Sequence, residues 1–429
     1  MNIKKIIKDT LTIKFDKAFG LDIGDRSIEI IELEKVFKFS VSTYGRTELP
    51  EGVVENGKIL DQNILAEKLK KLLKEAKPKK VSTNKVIVSL PESQVYIECF
   101  SVDATLKSKE LTRVIVDRLS LSMPISLDKI YWDFVEKPMA DKTKKLIMFM
   151  GIQKDIASSY VKFCNSIGLE VVSLCIESLS LARVILKSSP KQSLIIDMGA
   201  GATNLSFFDS NDMINMSFTV PIAGSQITEM IKSHLKIEVA EAEALKFKFG
   251  LKEGKDNNIR EIILPTINDL LKETQKAIVY YEETYKQKLD DIYLIGGSAL
   301  LPGLVEALKN GLKKEVKLAE SAYSVNFSSL TMKGNYFPFF ANVIGLGMLG
   351  ASGEFKDLNL IKKIPPAEVN LVNKLNLFKM GYLSQVDTLR AVINNKYFLI
   401  VMIILIVVIF AILNQQAQNF GYTSAPIYP

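Results

Sequence analysis

Two segments of this chain are built alike. In each, an apolar, β-branched run ends in Asp-x-Gly, small residues follow, and a second apolar run begins: Ala18 to Ser27 then Ile28 to Leu33, and Leu194 to Asn204 then Leu205 to Phe208. The pattern predicts a β-hairpin in each place. A glycine-rich turn lets the backbone approach an anion closely, and its N–H groups form a nest for a phosphate. The aspartate at the strand end is then placed to hold a magnesium ion or its water shell. Turn chemistry alone explains a single copy, because Asp and Gly dominate turns for conformational reasons. Two copies, followed by the Gly296-Gly297-Ser298 loop that opens a helix at Leu304, predict two similar half-domains facing each other across a nucleotide.

Composition narrows the alternatives. The chain has 429 residues, 48% of them apolar and 24% charged, which is globular composition and room for about two to four folding units. Its formal charge of +7 is too mild for the basic stripe of a nucleic-acid binder. A single histidine, His234, excludes a multi-histidine zinc site and is expected on the surface of a helix; Cys99, Cys164 and Cys175 have no C-x-x-C spacing and fit a reducing compartment. The lysine-rich stretch 68–80 reads as a solvated helix face followed by a break at Pro78.

The run 397–413 carries no charge or side-chain amide, and as a helix it would reach roughly 26 Å. It predicts one membrane span. Arg390 and Lys396 precede it and no charge follows it, so the positive-inside rule places the N-terminal part in the cytoplasm and the protein in the inner membrane. The expected organisation is a basic segment at 1–17, a domain at 18–353 with an inserted subdomain at about 86–167, a linker at 354–396, the span, and an exported tail at 414–429. Within the insertion, 106–121 has helical spacing and Trp132 lies in a strand-like alternation, both expected to pack a core.

The hairpins and the third loop resemble the phosphate and adenosine loops of the actin-like ATPase superfamily. Across 18–350 the chain is similar to the type IV pilus assembly protein PilM family. The similarity is carried by Phe19 to Leu33, Val86 to Val95, Pro124 to Asp128, Glu177 to Arg183, Pro221 to Thr228, Glu238 to Gly250, Glu273 to Tyr281 and Ala341 to Met348. It implies a two-lobed α/β actin-like fold, related to ribonuclease H, binding ATP and Mg2+ between the lobes. By that resemblance Asp22 and Asp197 hold magnesium, and backbone amides of Gly24, Asp25, Arg26, Ser27, Gly199, Gly201 and Thr203 cradle phosphates. Gly296, Gly297 and Ser298 pass beside the adenosine, Glu177 and Asp197 serve catalysis, and Lys276 reaches the nucleotide.

The family departs from this sequence at Asp25-Arg26-Ser27, where small or hydroxyl residues are usual, and at Cys175, where an acidic residue is frequent. Any ATPase turnover is therefore expected to be slow. The implied role is a scaffold of a type IV pilus or related filament machine, in twitching motility, with a PilN-like membrane protein and a second copy of the chain as partners. Val369-Asn370-Leu371-Val372 resembles the Ile-Asn-Leu-Leu peptide of PilN. Two other readings stand beside it: a cell-division filament protein like FtsA, and a structural adaptor like general secretion pathway protein L.

Overall fold

The computed structural model describes residues 17–364, apart from 36–37, 140, 187–190, 211, 253, 255–257, 322–335 and 353–358. Two five-stranded sheets with the same internal order form the frame. In the first, β1 (Phe19–Ile23), β2 (Ser27–Lys35) and β3 (Phe39–Glu48) are an antiparallel meander. A small hairpin, β4 (Val54–Glu55) and β5 (Lys58–Ile59), and helix α1 (Gln62–Glu75) follow. Strand β6 (Lys85–Leu90) then returns parallel to the other side of β1.

A three-stranded antiparallel sheet comes next, β7 (Val95–Asp103), β8 (Ile130–Pro138) and β9 (Lys144–Gln153), in the order β7-β9-β8. Helix α2 (Ser108–Ser122) covers it with Leu111, Ile115 and Leu119, while Leu121, the last residue of the span 106–121 expected to pack a core, is 91% exposed. Trp132 packs against Phe134 and Phe149, with ring centroids 6.4 and 5.8 Å away. After α3 (Lys154–Ser166), strand β10 (Glu170–Ile176) completes the first sheet beside β6, and α4 (Glu177–Ile185) leaves its end.

The second lobe repeats the scheme. Strands β11 (Ser193–Met198), β12 (Thr203–Phe208) and β13 (Ile214–Val220) form the meander. Helices α5 (Gly224–Leu235), α6 (Val239–Phe249) and α7 (Asn258–Tyr285) cross over to β14 (Asp291–Ile295), and α8 (Leu304–Leu312) leads to β15 (Val316–Leu318). Both new strands run parallel to β11, so the order β13-β12-β11-β14-β15 matches β3-β2-β1-β6-β10. His234 is exposed on α5.

The chain then returns to the first lobe. Helix α9 (Phe337–Ser352) is apolar on nearly every side and is buried against β1, β2, β6 and α4. Its glycines permit close contact: a methyl carbon at Gly345 would fall 2.1 Å from the Ser180 carbonyl oxygen. Residues Leu360 and Ile364 are buried in the first-lobe core, so the folded part passes the boundary expected at 353 because these side chains need cover.

The expected localisation, a single-pass inner-membrane protein with an anchor at 397–413, is corrected: among the described residues no helix is long and apolar enough to cross a membrane. The run 397–413, the basic segment 1–16, the Val369-Asn370-Leu371-Val372 segment and the tail 414–429 lie outside the described residues.

Candidate functional site

The two hairpin turns share one backbone geometry. Gly24 N–H donates to the Ser27 carbonyl at 2.9 Å, and Gly199 N–H donates to the Ala202 carbonyl at 3.0 Å. Each turn follows the central strand of its sheet, and both line one cleft of about 1220 Å³. The strand ends deliver Asp22 and Asp197 to that cleft, and α4 begins there with Glu177. The loop after β14 brings Gly296, Gly297 and Ser298 to the same place. At Gly296 glycine is required twice over: its φ is +90°, and an added methyl carbon would lie 2.4 Å from Asp197 Oδ1. Ser298 Oγ donates to the Gly199 carbonyl at 3.0 Å, so it braces the second turn.

Two expected residues are placed differently. Thr203 is buried and donates to the Ile222 carbonyl at 2.5 Å, holding β12 rather than facing the cleft. Lys276 lies on the outer side of α7, 71% exposed and paired with Glu273 at 2.7 Å, so its expected reach to a nucleotide is corrected. The cationic groups lining the cleft are instead Arg26, Arg46 and, from α6, Lys246. The Lys246 ammonium, 4% exposed, bonds Glu243 at 2.7 Å, Thr228 Oγ1 at 2.8 Å and the Gly224 carbonyl at 3.2 Å. Burial lowers its pKa and Glu243 opposes that shift.

Around the turns, carboxylates crowd. Asp22 faces Glu29 directly across the β1–β2 ladder, a like-charge pair on one face. Burial pushes Asp22 up to about 6, against hydrogen bonds from Asn342 and Ser89. Burial and the Asp22 charge push Glu29 up to about 8, although Arg46 Nε donates to it at 2.9 Å. Burial, then Asp22 and Glu92, raise Asp197 to about 7. Glu177 stands well above the usual carboxylate range, first through burial and then through Asp22, Asp197 and Glu92. In the second lobe the position matching Glu29 is Asn204, opposite Asp197 in the register, and its amide donates to Glu177 Oε2 at 3.2 Å.

Glu92 is a further member that sequence reasoning missed. It is 4% exposed, and its Oε2 accepts from the Ser178 N–H at 3.3 Å, capping the first turn of α4. Its own N–H donates to Glu177 Oε2 at 3.4 Å. Among the described groups its Oε1 has no hydrogen-bond partner. The signal was present in Pro91-Glu92-Ser93, directly after a strand ending beside β1, but nothing local marks which side that carboxylate faces.

Asp25 and Arg26 part company at the turn. Arg26 pairs with the exposed Glu51 at 2.9 Å. The Asp25 carboxylate accepts from the N–H groups of Asn56 and Gly57, at 3.2 and 3.1 Å.

Comparison with known proteins agrees with this architecture. The type IV pilus assembly protein PilM family matches residues 20–347. The cell division protein FtsA of Streptococcus pneumoniae is 25% identical over 384 residues, 80% of this chain and 81% of that protein. FtsA of Bacillus subtilis is 21% identical over 347 residues, 71% of this chain and 78% of that protein. Among solved structures, a PilM-PilN type IV pilus biogenesis complex superposes with a TM-score of 0.68 at 20% identity, covering 78% of this chain and 98% of that one. The fold is therefore mixed α/β and actin-like, with two lobes repeating one sheet order about a shared cleft. With a match that runs from β1 to the middle of α9, through both turns and the cleft between them, this chain belongs to the type IV pilus assembly protein PilM family.

Proposed function

We propose that the cleft binds ATP with magnesium and that the protein is a nucleotide-regulated scaffold of a type IV pilus or related filament machine, gripping a PilN-like partner. The observation that carries this reading is the pair of matching turns: Gly24 to Ser27 and Gly199 to Ala202 close with the same hydrogen bond on the same cleft, each beside a strand-end aspartate. Turns of this kind supply amides for the phosphates, and Gly296 and Gly297 leave room for the adenosine. Lys246, with Arg26 and Arg46, lines the cleft with the positive charge that Lys276 does not bring. The partner follows from the family and from the likeness to the PilM-PilN complex.

The carboxylates fit a hydrated magnesium carried in by the phosphates. Among the described residues no group of three or more His, Cys, Asp or Glu is arranged to hold a metal directly. Magnesium keeps several waters, and Asp22 and Asp197 would hold that shell. Their raised pKa values favour a counter-cation, since nearby positive charge relieves both burial and mutual repulsion. Glu177 would orient a water; burial and the neighbouring carboxylates hold its proton well above the ordinary range, and a bound cation would favour its release.

The test is calorimetric titration of the protein with ATP and magnesium. Asp197→Ala is expected to weaken magnesium-dependent binding by about 1 to 3 kcal/mol, the scale of a lost charge-assisted contact. Absence of binding by the unaltered protein would overturn the reading. The FtsA similarity over most of the chain supports a second reading, a cell-division filament protein. ATP-dependent reversible filaments in electron micrographs, with no capture of a PilN-like peptide, would favour it.

A further inference from the structure

Asp25 stands in the first turn where the matching position of the second turn is Ala200. Both turns close alike, so the turn itself does not require a carboxylate. The side chain is nevertheless held firmly. Asn56 and Gly57 form the turn between β4 and β5 with φ of +48° and +72°, the conformation that Asn-Gly favours, and both their N–H groups point at Asp25. That turn is anchored in its own right: Tyr160 Oη donates to the Gly57 carbonyl at 2.9 Å, and Gln94 Nε2 donates to the Asn56 carbonyl at 3.0 Å.

The carboxylate so fixed reaches across to the other lobe. A methyl carbon added at Gly201, in the second turn, would fall 2.2 Å from Asp25 Oδ2. The charge therefore lies in the gap between the two turns. Arg26, the adjacent cation, does not neutralise it, because its guanidinium is engaged with Glu51.

Resting on the nucleotide reading of this cleft, we propose that Asp25 is a specificity-determining residue: a fixed negative charge between the two turns that disfavours ligands in proportion to their phosphate charge. Two unit charges about 4 Å apart repel by roughly 1 kcal/mol in bulk water and by several times more in a partly desolvated cleft. The cost of Asp25 should therefore be absent for adenosine and grow toward ADP and ATP. A serine or an uncharged amide at this position removes the penalty.

The experiment is calorimetric titration of the unaltered protein, Asp25→Asn and Asp25→Ser with adenosine, ADP with magnesium, and ATP with magnesium. Asn keeps one oxygen, an acceptor for one of the two N–H groups, and Ser, which places no amide there, guards against the chance that Asn alone disturbs the turn. Both variants should bind ATP about tenfold tighter, ADP by a smaller factor, and adenosine equally well. Equal ATP affinity in all three proteins, or an equal gain for adenosine, would overturn the charge argument while leaving nucleotide binding intact. Weaker ATP binding in both variants would overturn it too, by showing that Asp25 assists a cation. If none of the three proteins binds ATP or ADP, the nucleotide reading itself fails.

Discussion

Glu29 offers a direct measurement of the cleft's electrostatics. Its carboxyl is 4% exposed, faces Asp22 across the hairpin, and is pushed from an ordinary 4.5 up to about 8 by burial and that neighbour. The native state therefore holds a proton that the unfolded chain releases above about pH 4.5. A raised carboxyl makes stability fall as pH rises between these two values, by about 1.4 kcal/mol per unit for one proton. From pH 5.5 to 7.5 the loss is about 3 kcal/mol.

Glu29→Gln removes the proton and keeps an oxygen for Arg46 Nε, now 2.9 Å from Glu29 Oε1. The variant should match the unaltered protein near pH 4.5, and its advantage should grow by about 3 kcal/mol between pH 5.5 and 7.5, roughly 5 °C in Tm for a domain of this size. Asp22 and Asp197 titrate in both proteins, so the difference reports Glu29 together with its coupling to Asp22. Denaturant or thermal unfolding at pH 5.5, 6.5 and 7.5 provides the assay. A variant less stable than the unaltered protein at pH 7.5 would refute the reasoning, because it would mean that Glu29 is ionised there and that its pair with Arg46 outweighs burial.

Two predictions concern packing. Gly345→Ala should lower stability by about 1 to 3 kcal/mol despite the better helix propensity of alanine, since the new carbon would meet the Ser180 backbone oxygen at 2.1 Å; an unchanged Tm would show that α9 can shift away from α4. Cys99 and Cys164, whose thiols burial pushes up to about 12, and the buried Cys175 should react with a thiol reagent at pH 7.5 only after denaturant is added. Rapid labelling of the native protein would place at least one of them at an opening of the core.

Much of the site was written locally. Asp22-Ile23-Gly24, Asp197-Met198-Gly199 and Gly296-Gly297-Ser298 announce themselves because turn geometry restricts which residues can follow a strand, and such restrictions act over four or five positions. A resemblance extending from Phe19 to Met348 then named the family. The hairpin register also determines that Asp22 faces Glu29, since a turn closed between Gly24 and Ser27 leaves no other pairing. The Asn56-Gly57 turn was equally readable, though its two amides gave no hint of their distant acceptor.

Tertiary structure decided the rest, because it joins positions that no local pattern links. Helical periodicity gives Lys246 and Lys276 no different address; the packing of α6 on α5 buries the first in the cleft, while α7 turns the second to solvent. Glu92 and Glu177 meet because β6 and β10 end side by side, and Leu360 and Ile364 join a core built mostly from residues before 187. The raised pKa values belong to the same level: a carboxyl's proton is held by the burial and the neighbouring charges that folding imposes, and those exist only once the chain has folded.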